Sequence, residues 1–295
     1  MGSIKAYLQL MRPANIVTAV SDILAGVAIA LLFVPVSATV DWPALLALMV
    51  STVGLYGGGV VFNDVFDADL DASERPERPL PSGRASMRGA VGLGAALFLV
   101  GMVAAWCVGL SAVLIAMAIV LMCLIYDRWA KHHSLTGPLA MGLCRGLNLL
   151  LGMSYSLMAL DQVWFLAGVP VIYIAAVTTI SRGEVHGGQR MPLLFSATLY
   201  AIVVGCVAAF GLYYHGGVWG AGMLLPFVCF VFPPLVKAMQ TLKSGDIRKS
   251  VKHGVIGLIF LNAAWAAAAG MWPLAFATLL LFPLSSWMAK LFAVT

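Results

Sequence analysis

Long apolar runs, broken by short polar stretches, tile almost the whole chain. A bilayer core about 30 Å thick needs roughly 20 apolar residues per helix. On that spacing the pattern predicts membrane-spanning helices over 15–34, 42–62, 89–108, 110–127, 137–160, 162–180, 191–214, 218–240, 252–270 and 272–291. The last pair is the least defined, because Trp272-Pro273 is its only turn signal. A re-entrant end beyond eight full spans therefore remains open. The first run is too long for the apolar segment of a secretory signal, so it reads as a span.

Charge then orients these helices. Lys and Arg collect on the cytoplasmic side of membrane proteins. With the N-terminus inside, alternation puts Arg75, Arg78, Arg84 and Arg88 inside, then Arg128 and Lys131, then Arg182 and Arg190. Lys237, Lys243, Arg248, Lys249, Lys252 and Lys290 also fall inside. The opposite loops, near Asp41, Gly109, Asp161, His215 and Met271, carry no Lys or Arg. The reading is a multi-pass protein of the inner (cytoplasmic) membrane, with its N-terminus and its charged chemistry on the cytoplasmic side.

Composition agrees. The 295 residues are 62% hydrophobic and 10% charged, with a mean hydropathy of +0.98. That excludes a soluble globular domain. The net charge of +5 is what positive-inside loops require, so no nucleic-acid partner is implied. The cysteines Cys107, Cys123, Cys144, Cys206 and Cys229 lie in apolar runs with no CxxC pair, and read as small hydrophobes.

One stretch breaks the apolar rule. Six of the twelve acidic residues lie between Asp64 and Glu77. Asn63, Asp67 and Asp71 are spaced i, i+4, i+8, so on a helix they stack on one face at about 6 Å per step. Such a column of oxygen donors repels itself unless a cation sits among them, and Mg²⁺ prefers hard oxygen ligands that leave room for water and phosphate. Asp64 is one step round from Asn63 and Asp69 points away from the column, so both are weaker candidates. Arg75, Arg78 and Arg84 follow among Pro76, Pro79, Pro81 and Gly83, in a loop that prolines stiffen. Guanidinium groups bind phosphate through paired hydrogen bonds. Carboxylates followed by a rigid arginine loop point to a diphosphate site. The bland alternative is a solvated loop that only enforces topology; it accounts for the arginines but not for the acids.

Two ionisable groups fall inside predicted spans and are functional suspects on cost alone. Asp22 either contacts an acceptor or pairs with a neighbouring helix. Arg145 and Asn148, at i, i+3, face together and either contact phosphate or bond between helices.

Asn63-x-x-x-Asp67-x-x-x-Asp71, followed by Arg78-Pro79-Leu80-Pro81-Ser82-Gly83-Arg84, is similar to the first Asp-rich motif of the UbiA superfamily of intramembrane prenyltransferases. Arg12-Pro13-x-Asn15 at the opening of helix 1, and Tyr126 with Lys131 after helix 4, extend the match, as does helix spacing to about residue 270. The resemblance implies an all-α integral membrane fold, a nine-helix bundle around a central cavity. Here that bundle forms a single domain, 1–295, with 272–295 as an additional helix. It implies Mg²⁺-dependent transfer of a prenyl group from a polyprenyl diphosphate to an acceptor that the sequence does not identify, within the lipid bilayer. It implies Asn63, Asp67 and Asp71 as metal ligands, and Asp67, Asp71 and Glu184 as catalytic residues. It implies diphosphate contacts from Asn15, Arg78, Arg84, Tyr126, Lys131, Arg145, Asn148 and Arg182.

The second Asp-rich motif is degenerate. Its position reads Ser181-Arg182-Gly183-Glu184-Val185-His186-Gly187-Gly188, with Ser181 and Gly188 where acids are expected. This resembles the EboC-like branch and puts a second Mg²⁺ in doubt. His186 is either a ligand or base, or a solvated loop residue. A non-catalytic descendant that binds or moves a lipid is the alternative function. A secondary transporter ranks below both, since broken helices in both halves are not evident.

Overall fold

A computed structural model describes residues 4–35, 40–133, 135–184, 187–214 and 217–292, apart from the side chain of His132. The described residues form helices joined by turns and loops, with no strand. A short helix α1 (Ile4–Met11) leads into α2 (Pro13–Leu31), α3 (Trp42–Phe66) and α4 (Ala68–Glu74). Next come α5 (Met87–Trp106), α6 (Leu110–Arg128), α7 (Thr136–Met153), α8 (Leu157–Val163) and α9 (Gly168–Ser181). The chain closes with α10 (Arg190–Tyr213), α11 (Gly217–Gly222), α12 (Leu224–Thr241), α13 (Ser244–Ala268), α14 (Trp272–Leu279) and α15 (Leu281–Phe292). Nine segments of the described chain are long and apolar enough to cross a membrane. They are α2, α3, α5, α6, α8 with α9, α10, α11 with α12, α13, and α14 with α15. The polar α7 is not among them, yet it runs parallel to α2 and packs between α2, α6 and α9 as a tenth.

Burial sorts these helices. The span of α2 is 89% buried, whereas those of α5 and α6 are 28% buried. Helix α2 is thus the axis of the bundle, and the outer helices keep apolar faces for lipid. Small residues let backbones approach where no hydrophobic drive pulls helices together. A Cβ at Gly26 would lie 2.4 Å from the carbonyl oxygen of Leu149 and 2.8 Å from the Cα of Gly152. This α2–α7 crossing sets the register of both helices. Gly26→Val would force them apart, and the expected loss is about 1–3 kcal/mol, the usual cost of overpacking. Thermal unfolding of the detergent-solubilised variant measures it, and an unchanged midpoint would contradict the close crossing.

Three sequence expectations shift. The turn expected near Asp161 falls at Ser154–Ser156, and Asp161 lies inside α8. Ser154 folds its hydroxyl back onto the Leu151 carbonyl at 2.6 Å, and this local bond competes with helix continuation. Helix α13 begins at Ser244 rather than Lys252, so Arg248 and Lys249 ride on its first turns. The closing segment is helical from Trp272 to Phe292 with a break at Leu280. Pro283 lacks the N–H that would bond the Leu279 carbonyl, which places the break there. Helix α15 packs on α2, where Ser285 donates to the Ala14 carbonyl at 3.0 Å.

Candidate active site

The first Asp-rich motif is one continuous helical run. Helix α3 bends at Asp67, but Asp67 N–H bonds Asn63 O, Asp71 N–H bonds Asp67 O, and Arg75 N–H bonds Asp71 O at 2.8–3.0 Å. The column of Asn63, Asp67 and Asp71 therefore stands as the spacing requires. Each member meets a partner from a different part of the chain. Lys131 Nζ lies 2.6 Å from Asp67 Oδ1, and Arg78 Nη1 lies 2.6 Å from Asp71 Oδ2. Asn63 Nδ2 donates to Asp127 Oδ1 at 2.8 Å.

Asp64, ranked low by the sequence, is in the cluster. It is buried, with Arg12 Nη2 at 2.5 Å and Arg78 Nη1 at 3.5 Å. Arg12 caps α2 in a left-handed conformation, φ 48°, which costs a non-glycine residue about 1 kcal/mol or more. That conformation accompanies the turn of the chain into Pro13. Asp127, unremarked in the sequence, is 3% exposed. A charged residue beside Tyr126, closing an otherwise apolar helix, was the available signal for it.

Part of the cluster, Arg12, Asn63 and Asp127, lines a cavity of about 300 Å³ between α2, α3, α6, α7, α9 and α13. Arg12, Asn15, Asn63, Tyr126 and Asp127 line its polar end. Further in stand Tyr56, Arg145 and Asn148, and the remaining wall is largely apolar, including Leu55, Ile119, Val177 and Leu258. Arg145 and Asn148 line this cavity, but their polar atoms are engaged between helices. Arg145 Nη1 pairs with Asp22 Oδ2 at 2.8 Å and Nη2 donates to Thr18 at 2.7 Å. Asn148 donates to Asp22 and to the Ala19 carbonyl and accepts from Thr52; Asn262 completes the set by donating to Asp22 Oδ1. Arg145 also stands over the Tyr56 ring, 5.0 Å from its centroid.

Arg84 is directed elsewhere. It donates to the Glu77 carbonyl, to Ser82 Oγ and to Gln9 Oε1, so it fastens the proline loop to α1. Gly83, at φ 71°, provides the left-handed turn before it.

Ser181 and Gly188 of the second motif make local and loop contacts: Ser181 bonds back to the Thr178 carbonyl, and Gly188 N–H bonds the Leu242 carbonyl. Arg182 lines a separate cavity beside α9 and α10. Glu184 is half-buried; burial raises its carboxyl above the ordinary range, against the pull of Arg248 and Arg75. His186, with Val185, lies outside the described residues. Among the described residues, no three His, Cys, Asp or Glu side chains are already gathered for a metal, and Arg12, Arg78 and Lys131 stand against the carboxylates of Asp64, Asp71 and Asp67.

A polar mouth of paired acids and bases over an apolar chamber, inside a multi-pass bundle, defines an intramembrane enzyme acting on a molecule with an anionic head and a lipid tail. Residues 23–253 match the UbiA prenyltransferase family, and the chain belongs to that family. It is 28% identical over 281 residues to digeranylgeranylglyceryl phosphate synthase of Methanopyrus kandleri, across 90% of this chain and 99% of that one. It is 33% identical over 188 residues to the synthase of the same name from Sulfurisphaera tokodaii; there the alignment spans 64% of the relative's length. The fold is similar to that of a UbiA homolog from Aeropyrum pernix K1, with a TM-score of 0.68 and 20% identity over 84% of this chain and 96% of that one. It is also similar to a UbiA homolog from Archaeoglobus fulgidus bound to GPP and Mg²⁺, with a TM-score of 0.64 and 13% identity over 88% of this chain and 99% of that one. The protein is a multi-pass membrane prenyltransferase of this family.

Proposed function

We propose that the whole chain, 1–295, acts as one unit that takes a polyprenyl diphosphate at the cytoplasmic face of the inner membrane and transfers its prenyl group to an acceptor, with Mg²⁺ at the Asp-rich column. The observation that carries this is the run Asn63–Asp67–Asp71, with Arg78 and Lys131 in direct contact, which begins at Asn63 in the wall of a largely apolar cavity. Hard oxygen donors on one helix face suit Mg²⁺, and the buried Asp127 Oδ2, which has no hydrogen-bond partner, fits a site built for a cation. When bound, Mg²⁺ neutralises charge on the leaving diphosphate. Arg12, Arg78 and Lys131 offer the remaining phosphate contacts where negative charge develops. The apolar wall keeps water from an allylic cation, and the Tyr126 ring offers it a π face. Arg84 acts by holding the loop that presents Arg78. The basic residues of the loops on this face support the cytoplasmic orientation.

The relatives' name suggests an acceptor carrying a glyceryl phosphate. The test is purified protein in detergent with Mg²⁺, labelled prenyl diphosphates of graded length, and either a mono-prenylated glyceryl phosphate or a hydroxylated aromatic acid. The expected result is Mg²⁺-dependent release of diphosphate and a prenylated product with the glyceryl phosphate. Prenyl diphosphate binding without turnover on any acceptor would overturn this reading.

A further inference from the structure

Three of the four carboxylates in the cluster already have a cation. Asp64 has Arg12, Asp67 has Lys131 and Asp71 has Arg78. Asp127 is the exception among the described residues, with no basic side chain in ion-pair contact. Its Oδ1 accepts from Asn63, and its Oδ2 is buried with no partner. An unsatisfied buried carboxylate oxygen is expensive and persists where something else satisfies it. Asp127 lines the central cavity beside Asn63 and Arg12, so it opens onto the space where a diphosphate head would lie. Asn63 uses its Nδ2 on Asp127, which leaves its amide oxygen as the end it offers to a cation.

The second motif sharpens the argument. Ser181 and Gly188 stand where acids are expected, and both make local or loop contacts. Glu184 faces Arg75 and Arg248. Glu184, the loop's one acid, is not in the wall of the central cavity; nor are Asp67 and Asp71, and the acid that is in it is Asp127, from the end of α6.

We infer that Asp127 is a metal ligand of this site, its Oδ2 and the Asn63 amide oxygen supplying hard donors that the second motif lacks. The inference rests on the proposed Mg²⁺ site and assigns it a ligand from outside both Asp-rich motifs. It separates from a purely structural role, in which Asp127 only anchors Asn63. Asparagine at 127 keeps an oxygen for the Asn63 bond and removes the charge.

The test is Mn²⁺ binding to purified protein, followed by electron paramagnetic resonance, with inorganic pyrophosphate as the anion. Asp127→Asn is expected to weaken Mn²⁺ at least about tenfold, the lower end of what even an indirect metal contact is worth. Its metal-free melting temperature is expected to rise, since a buried unpaired charge is gone, while its stabilisation by Mn²⁺ and pyrophosphate shrinks. Asp127→Ser gives the same comparison should the amide variant fold poorly. Wild-type Mn²⁺ affinity in Asp127→Asn, alongside loss in Asp67→Asn, overturns the inference and leaves the proposed site intact. No Mn²⁺ uptake by the unaltered protein overturns both.

Discussion

Asp67→Ala is expected to lower turnover of prenyl diphosphate by at least about 10²-fold, the size of effect that follows loss of one preorganised stabiliser of developing charge. Asp67 is the middle of the column and the point where α3 bends into α4. The substitution removes a metal-facing oxygen and also releases Lys131, held at 2.6 Å, from the position in which it would meet phosphate. The two losses act together and do not add as independent terms. The side chain is not deeply buried, at 18% exposure, so folding should survive. Diphosphate release from labelled substrate, measured with a melting curve of the same preparation, separates the effects. Turnover above about a tenth of the unaltered rate would remove Asp67 from the chemistry.

The second large effect is on stability. Asp22→Ala is expected to cost about 3–5 kcal/mol, because it leaves Arg145 as an uncompensated buried charge. Asp22 is 2% exposed and accepts from Arg145 and Asn148 of α7 and Asn262 of α13, so two helices lose their common partner on α2. Asp22→Leu combined with Arg145→Met should recover much of the loss, since a well-packed apolar pair is often neutral against a buried ion pair. Denaturant titrations in one detergent measure both. A double variant as unstable as Asp22→Ala would show that Arg145 is needed for more than balancing Asp22.

Much of this was legible in the sequence, for identifiable reasons. A bilayer imposes a length and an apolarity that soluble cores do not, so the spans stand out from residue 15 onward. The column of Asn63, Asp67 and Asp71 was legible because helical spacing alone puts it on one face. Helix ends were less so: Ser154 ends α7 through a bond to its own backbone, and hydropathy does not register such a bond. Arg84 looked like a phosphate ligand because its loop was right, but its guanidinium is taken up by Glu77, Ser82 and Gln9. Arg145 and Asn148 were open between two readings, and only the position of Asp22 shows how they are bonded. Asp127 was hidden most completely. Its meaning depends on Asn63, 64 residues away, and on its having no ion-pair contact among the described residues.

The prior pairing of acids and bases in this mouth has a thermodynamic consequence. A diphosphate that engages Lys131 or Arg78 must part it from Asp67 or Asp71, and a cation that engages those carboxylates must part them from the same bases. Each guest thus does part of the other's work. In the proposed reading, metal and substrate are linked, and whatever factor one contributes to the other's affinity is returned in full. Such a site behaves as an ion exchanger: it holds either guest poorly alone, and it lets both go together once the diphosphate has lost its tail.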